Sequence, residues 1–133
     1  MKRLLVVLLV AGAFAAGARG TFAHHSFSAT YLEGQSVTIE GELVQFLFRN
    51  PHSFVHVMVK DSDGQMVRYA VEWGGTGQLG GQGVTRETLK PGDHVVIVGS
   101  PGRDPADRRV RMHSLRRPKD GFTWGDRPGE TVD

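Results

Sequence analysis

The histidines are the residues of this chain best suited to chemistry, and two of the six, His24 and His25, are adjacent. They directly follow Ala23, which ends a largely apolar N-terminal stretch. A chain that begins at His24 carries a free amine and two imidazoles at one end, and imidazole is a ligand for copper, zinc and nickel. The sequence therefore predicts a metal site at His24 and His25, with copper as the best-fitting ion.

A second pair, His52 and His56, lies four residues apart in a predicted strand. That spacing keeps both on one face, with Met58 next along it as a soft ligand for Cu(I). Because residues four apart on a strand are about 13 Å apart, the two histidines share an ion only if the Asn50-Pro51 turn folds His52 back. The alternative is that His52 stabilises the turn and His56 is an ordinary strand residue.

The N-terminus has the features of a signal peptide. A short basic start precedes an apolar run and a small-residue pattern that ends at Ala23, so residues 1–23 are predicted to be cleaved during export. Cleavage after Gly20 also fits the pattern and would leave His24 without a free amine. We expect a periplasmic protein that does not stay inserted in the membrane.

Composition narrows the function further. Removal of the three basic residues of the signal changes the formal net charge from +2 to −1, so the electrostatic case for nucleic-acid binding disappears. The chain has no cysteine and therefore no disulfide or thiol nucleophile. Residues 75–80 read G-x-G-x-x-G, but further glycines follow where a dinucleotide-binding helix would have to continue. We expect a protein that binds rather than catalyses.

A competing hypothesis places a binding surface on one face of the sheet. Strand alternation and residue type suggest a groove of arginines and aromatic rings that holds an envelope glycan or a protein partner without metal; its members are Tyr69, Trp73, Arg109 and Arg111. The alternative is a solvated strand face, with the arginines balanced by Glu40, Glu42 and Glu72.

Hydrophobic alternation predicts five strands with a short helical turn at residues 85–89, between strands three and four. The apolar phase flips after Leu43, which indicates a bulge or sharp bend near Gly41. The predicted fold is an all-β, five-stranded OB-like barrel over residues 36–118. An extended lead-in (residues 24–35) precedes it, a glycine-rich loop covers 74–83, and a polar tail (residues 119–133) follows.

The order of several short motifs resembles a family of small exported proteobacterial proteins of unknown function. The motifs are His24-His25-Ser26-Phe27, Asn50-Pro51-His52, Asp61 to Gly64, and Thr85-Arg86 with Leu89-Lys90-Pro91-Gly92-Asp93. The resemblance covers about residues 24–122 and implies a periplasmic, barrel-like domain with no established activity. The chain departs from the family pattern at Gly77 to Gly83, where a more helix-forming segment is usual.

Overall fold

The computed structural model describes residues 27–132. The predicted signal peptide, His24 and His25 lie outside this range. The described strands are β1 (Val37–Leu47), β2 (Phe54–Lys60), β3 (Met66–Glu72), β4 (His94–Pro101), β5 (Arg109–Arg117) and β6 (Phe122–Trp124). A short helix (Thr76–Gly81) lies between β3 and β4, and a 3-10 turn (Pro105–Asp107) precedes β5.

The sheet closes into a five-stranded barrel. Its strand order is β3-β2-β1-β4-β5, with β6 added beside β5, and a parallel pairing of β3 with β5 completes the ring. The first half of β1 pairs with β4 and its second half pairs with β2. This connectivity, with one helix between β3 and β4, is the predicted OB-like layout.

The long first strand bends as its sequence predicts. Pairing with β2 shifts register between Leu43 and Gln45, so Val44 is the extra residue of a bulge. At Gly41 the β2 backbone comes so close that a Cβ atom would lie 1.9 Å from the carbonyl oxygen of Met58. Only glycine therefore fits at the point where β1 serves both halves of the barrel.

Alternate residues of the strands fill the barrel interior. Along β2 the buried residues are Val55, Val57 and Val59, as the alternation predicts, while His56 and Met58 are half-buried on the other face. The rings of Trp73 and Trp124 meet edge to face in the same core, with centroids 5.2 Å apart. The barrel is therefore stabilised mainly by burial of apolar side chains.

The short helix was predicted at residues 85–89, and this position is wrong. The helix occupies Thr76–Gly81 inside the glycine-rich segment, where a loop was predicted. Its Leu79 side chain is fully buried, and the Asn50 side chain accepts a hydrogen bond from the backbone N–H of Thr76 at 2.9 Å. Burial and a cap from another loop thus outweigh the low helix propensity of glycine.

Both flanking segments pack on the barrel, which corrects the predictions of an extended lead-in and a trailing tail. Residues 27–30 are helical, and Phe27 and Tyr31 are buried. At the other end β6 pairs with β5, and Trp124 and Val132 are buried. Scattered aromatic residues in these polar segments are the anchors that attach them to the core.

Candidate functional site

The loop between β1 and β2 is held against the end of β3. The buried Ser53 donates its backbone N–H to the carbonyl of Gly74 at 3.0 Å, and its own carbonyl accepts from Trp73 N–H at 2.8 Å. The Ser53 hydroxyl also bonds the backbone of Arg49. These contacts place His52, the residue before Ser53, beside Glu72, the last residue of β3.

Glu72 is the centre of a polar cluster. Oε1 of Glu72 lies 2.5 Å from Nδ1 of His52, and Oε2 accepts hydrogen bonds from the Tyr31 hydroxyl and, at 3.3 Å, from Arg109. The Phe27 ring stacks on the His52 ring with centroids 5.3 Å apart. We call Phe27, Tyr31, His52, Glu72 and Arg109 the His52–Glu72 cluster.

The cluster lies on the outer face of the sheet, yet its carboxylate is hidden from solvent. Glu72 pairs in register with Phe54 of β2 and Arg111 of β5. Tyr31 of the N-terminal segment, residues 27–35, contacts it through a hydrogen bond. The Glu72 side chain is 9% exposed, whereas that of His52 is 27% exposed. Burial raises the pKa of Tyr31, and the hydrogen bond to Glu72 and the negative charge of its carboxylate raise that pKa further, so Tyr31 stays a neutral donor.

This arrangement determines which nitrogen of His52 is available. When the His52 ring is neutral and Nδ1 donates its proton to the Glu72 carboxylate, Nε2 keeps its lone pair. A histidine whose one ring nitrogen donates to a carboxylate while the other remains open is the usual arrangement around protein-bound metals. The partly exposed His52 ring can therefore bind a metal ion or accept a proton through Nε2.

His56 and Met58 belong to a different part of the surface. Nδ1 of His56 accepts a hydrogen bond from Nε of Arg68 at 3.2 Å, and Arg68 also bonds Gln45. Burial lowers the pKa of His56, and the charges of Arg68 and Arg49 lower it further. The same arginine charges disfavour a cation beside His56. His52 bonds Glu72 whereas His56 bonds Arg68, so the two histidines have different partners and do not form one site.

Within residues 27–132, no group of three or more His, Cys, Asp or Glu side chains is arranged to hold a metal ion. His94 pairs with Glu40 at 2.8 Å, and Nε2 of His113 bonds the Ser100 hydroxyl at 2.9 Å. Each of these histidines is separate from the His52–Glu72 cluster. His52 alone among the described histidines has both an orienting carboxylate that is buried and a contact with the N-terminal segment.

The predicted binding face of arginines and aromatic rings is divided between two environments. Trp73 is fully buried, and Tyr69 packs against the core from the inner side of β3, which corrects the prediction of an exposed ring at Trp73. Arg109 bonds Glu72, and Arg111 pairs with Glu33 at 2.6 Å, so both arginines are held on the outer face. Strand alternation separates Trp73, in the core, from the two arginines, so the four residues do not form one surface.

Sequence reasoning missed the role of Glu72. In the sequence it is one carboxylate on the polar side of an alternating strand, and nothing local distinguishes it from Glu40 or Glu42. The two aromatic residues of the lead-in, Phe27 and Tyr31, were the available signal, because apolar rings in an otherwise polar segment indicate a packed one. Their partner on the sheet could not be named without the fold.

The fold and the site define a small OB-like barrel with a carboxylate-oriented histidine beside its N-terminal segment. Residues 12–110 match a family of unknown function, DUF6152, and the chain belongs to that family. A comparison with curated proteins found no match. In the part of the chain that the structure describes, no helix is long and apolar enough to cross a membrane.

We expect the stability of the barrel to fall at mildly acidic pH partly because of His113. Partial burial lowers the pKa of His113, as does repulsion from Arg111, while Glu33 opposes these effects. The unfolded chain therefore binds a proton more readily, so this contribution is complete above about pH 6.5 and is lost as pH falls through the lowered pKa. Urea midpoints above and below that window should differ less for His113→Gln than for the native chain. An unchanged difference would assign the effect to another group.

Proposed function

We propose that the protein is an exported, periplasmic binding protein for a transition-metal ion, with copper as the best-fitting ion. The proposed ligands are the amine and imidazole of His24, the imidazole of His25, and Nε2 of His52. The observation that carries the proposal is the bond between His52 Nδ1 and Glu72 Oε1, at 2.5 Å. It presents the other ring nitrogen as an oriented ligand.

The short chain between His25 and Phe27 supports the proposal that His24, His25 and His52 bind the same ion. Phe27 stacks on His52, and His25 precedes Phe27 by only two residues. Two residues of extended chain span about 7 Å, which is within reach of an imidazole side chain. The short chain between these histidines and Phe27 limits the entropic cost of bringing them and His52 to one ion.

The chemistry of this donor set favours copper. A terminal amine together with an adjacent imidazole forms a small chelate ring, and nitrogen donors of this kind suit Cu(II) in a planar arrangement. Divalent copper also binds most nitrogen sites more tightly than other first-row divalent ions do. His56 and its neighbour Met58 are not included among the proposed ligands, because Nδ1 of His56 already accepts a hydrogen bond from Arg68.

The first test fixes the mature N-terminus. The chain is expressed with its own leader and without an N-terminal tag in a Gram-negative host, and the exported protein is measured by intact mass. We expect the mass of a chain that begins at His24. The mass of a chain that begins at Thr21 would mean that His24 has no free amine, which would contradict the proposal.

The second test is a Cu(II) titration by calorimetry, with electron paramagnetic resonance to count nitrogen ligands. His52→Ala, and separately His24→Ala with His25→Ala, should each weaken Cu(II) binding by about 10–100-fold, as loss of a ligand or its support commonly does. His56→Ala and His94→Ala are the matched controls and should bind as the native protein does. Equal affinity in all variants, or a loss in His56→Ala as large as in His52→Ala, would refute this ligand set.

A further inference from the structure

A groove at one end of the barrel shares Arg109 with the His52–Glu72 cluster but is not lined by His52. It has a volume of about 280 Å³ and is formed by the end of the lead-in, the β4–β5 connection and the side chain of Tyr69. Three of its lining residues are arginines, Arg103, Arg108 and Arg109, and the guanidinium group of Arg109 also bonds Glu72. We call it the arginine groove.

The groove has an excess of positive charge. Its one acidic lining residue, Asp104, accepts a hydrogen bond from the backbone N–H of Ala106 at 2.9 Å and so caps the 3-10 turn. Among residues 27–132, Arg103 and Arg108 take part in no ion pair, although Nε of Arg103 donates to the carbonyl of Ser28 at 2.6 Å. Guanidinium groups that form no ion pair are suited to bind an external anion, although the charges of Asp61 and Asp63 also act on Arg108.

An aromatic surface lies beside these charges. The guanidinium carbon of Arg108 is 5.9 Å from the centroid of the Tyr69 ring, which is half-buried. Arg108 has φ +48° and is the one non-glycine residue with positive φ in the described chain. A residue held in this sparsely populated region is often part of a binding site. The β4–β5 connection is also one of the loops that OB barrels use to contact extended polymers, a likeness of architecture alone.

We infer that the arginine groove binds one acidic sugar unit, a pyranose ring that carries a carboxylate. The volume lies just below the usual range of small-molecule sites, about 300–1,000 Å³, and so suits a single ring. Arg103 and Arg108 pair with the carboxylate through their fork-shaped donors. The apolar side of the ring packs on Tyr69, as flat apolar surfaces do on aromatic rings.

The test uses the full mature chain, freed of metal with a chelator so that the result does not depend on copper binding. Trigalacturonate, neutral maltotriose and inorganic phosphate are titrated by calorimetry and by amide chemical shifts. We expect trigalacturonate to bind and to shift residues of the β4–β5 connection, whereas maltotriose and phosphate bind at least about tenfold more weakly.

Variants separate the groove from general surface charge. Arg103→Gln with Arg108→Gln, and separately Tyr69→Leu, should each weaken trigalacturonate binding by about tenfold or more. Arg116→Gln, on the exposed side of β5, removes one positive charge away from the groove and should bind as the native chain does. Thermal unfolding confirms that each variant is folded. No binding of trigalacturonate, equally tight phosphate binding, or an equal loss in Arg116→Gln would overturn the inference.

Discussion

Replacement of Glu72 with alanine is expected to lower the free energy of unfolding by about 3–5 kcal/mol, the usual cost of removing one partner from a buried ion pair. Glu72 accepts hydrogen bonds from Tyr31, His52 and Arg109, and its own side chain is only 9% exposed. Without it the buried Tyr31 hydroxyl loses its acceptor and the Arg109 charge loses its pair. Urea denaturation of the purified domain measures the change.

Glu42→Ala is the matched control, because Glu42 lies exposed on β1 and forms no ion pair among the described residues. It should change the free energy of unfolding by no more than about 0.5 kcal/mol. If Glu72→Ala and Glu42→Ala cost the same, the His52–Glu72 cluster would contribute no more than an ordinary surface residue.

Glu72→Gln separates the structural role of Glu72 from its role in orienting His52. The amide keeps the size of the side chain and part of its hydrogen bonding, but its uncharged oxygen attracts the proton of His52 Nδ1 less strongly than the carboxylate does. We expect the variant to fold and to bind Cu(II) about 10–100-fold more weakly, because loss of an outer-shell partner commonly has this effect. A folded Glu72→Gln protein with native affinity would exclude Glu72 as the residue that orients a metal ligand.

Replacement of Gly41 with alanine is expected to lower the free energy of unfolding by about 3 kcal/mol, near the upper end of the usual cost of overpacking. The added Cβ would lie 1.9 Å from the carbonyl oxygen of Met58, which belongs to the backbone of β2 and cannot rotate away. β1 would have to separate from β2 at the bend that lets it pair with β4 as well. Thermal and urea unfolding, followed by far-UV circular dichroism, measure the loss.

Gly34→Ala is the control for this prediction. A Cβ at Gly34 meets nothing within 4 Å, so the change should lie within about 0.5 kcal/mol of the native stability. A Gly41→Ala protein as stable as Gly34→Ala would show that the two strands can move apart at little cost, and that the bend of β1 does not depend on glycine.

Most of the barrel could be predicted from local pattern. The alternation in β2 placed Val55, Val57 and Val59 on the face opposite His56 and Met58, because side chains alternate between faces, and the structure shows that the valine face is the buried one. The break in alternation after Leu43 predicted a bulge or sharp bend near Gly41, and the structure places the extra residue at Val44. These features depend on residues close together in the chain, which a sequence displays directly.

The position of the helix could not be predicted by propensity. Local preference disfavours helix at residues 76–81 because of the glycines, and it favours the Thr85 region, which forms turns instead. The helix forms because Leu79 enters the core and Asn50 caps its first turn. Both contacts are tertiary, and a six-residue helix depends on such contacts for its stability.

The sequence by itself determined the five strands of the barrel, the bend of β1, the barrel class and the histidines that are worth testing. The tertiary structure alone decided that His52 belongs with Glu72 and Phe27, that His56 belongs with Arg68, and that Trp73 is core. The reason is that hydrophobic periodicity reports which face of a strand is buried, whereas the partners of a polar side chain depend on which distant segments the closed barrel brings together. The metal site at His24 and His25 remains a prediction from sequence, and the structure adds His52, a histidine that is oriented by Glu72.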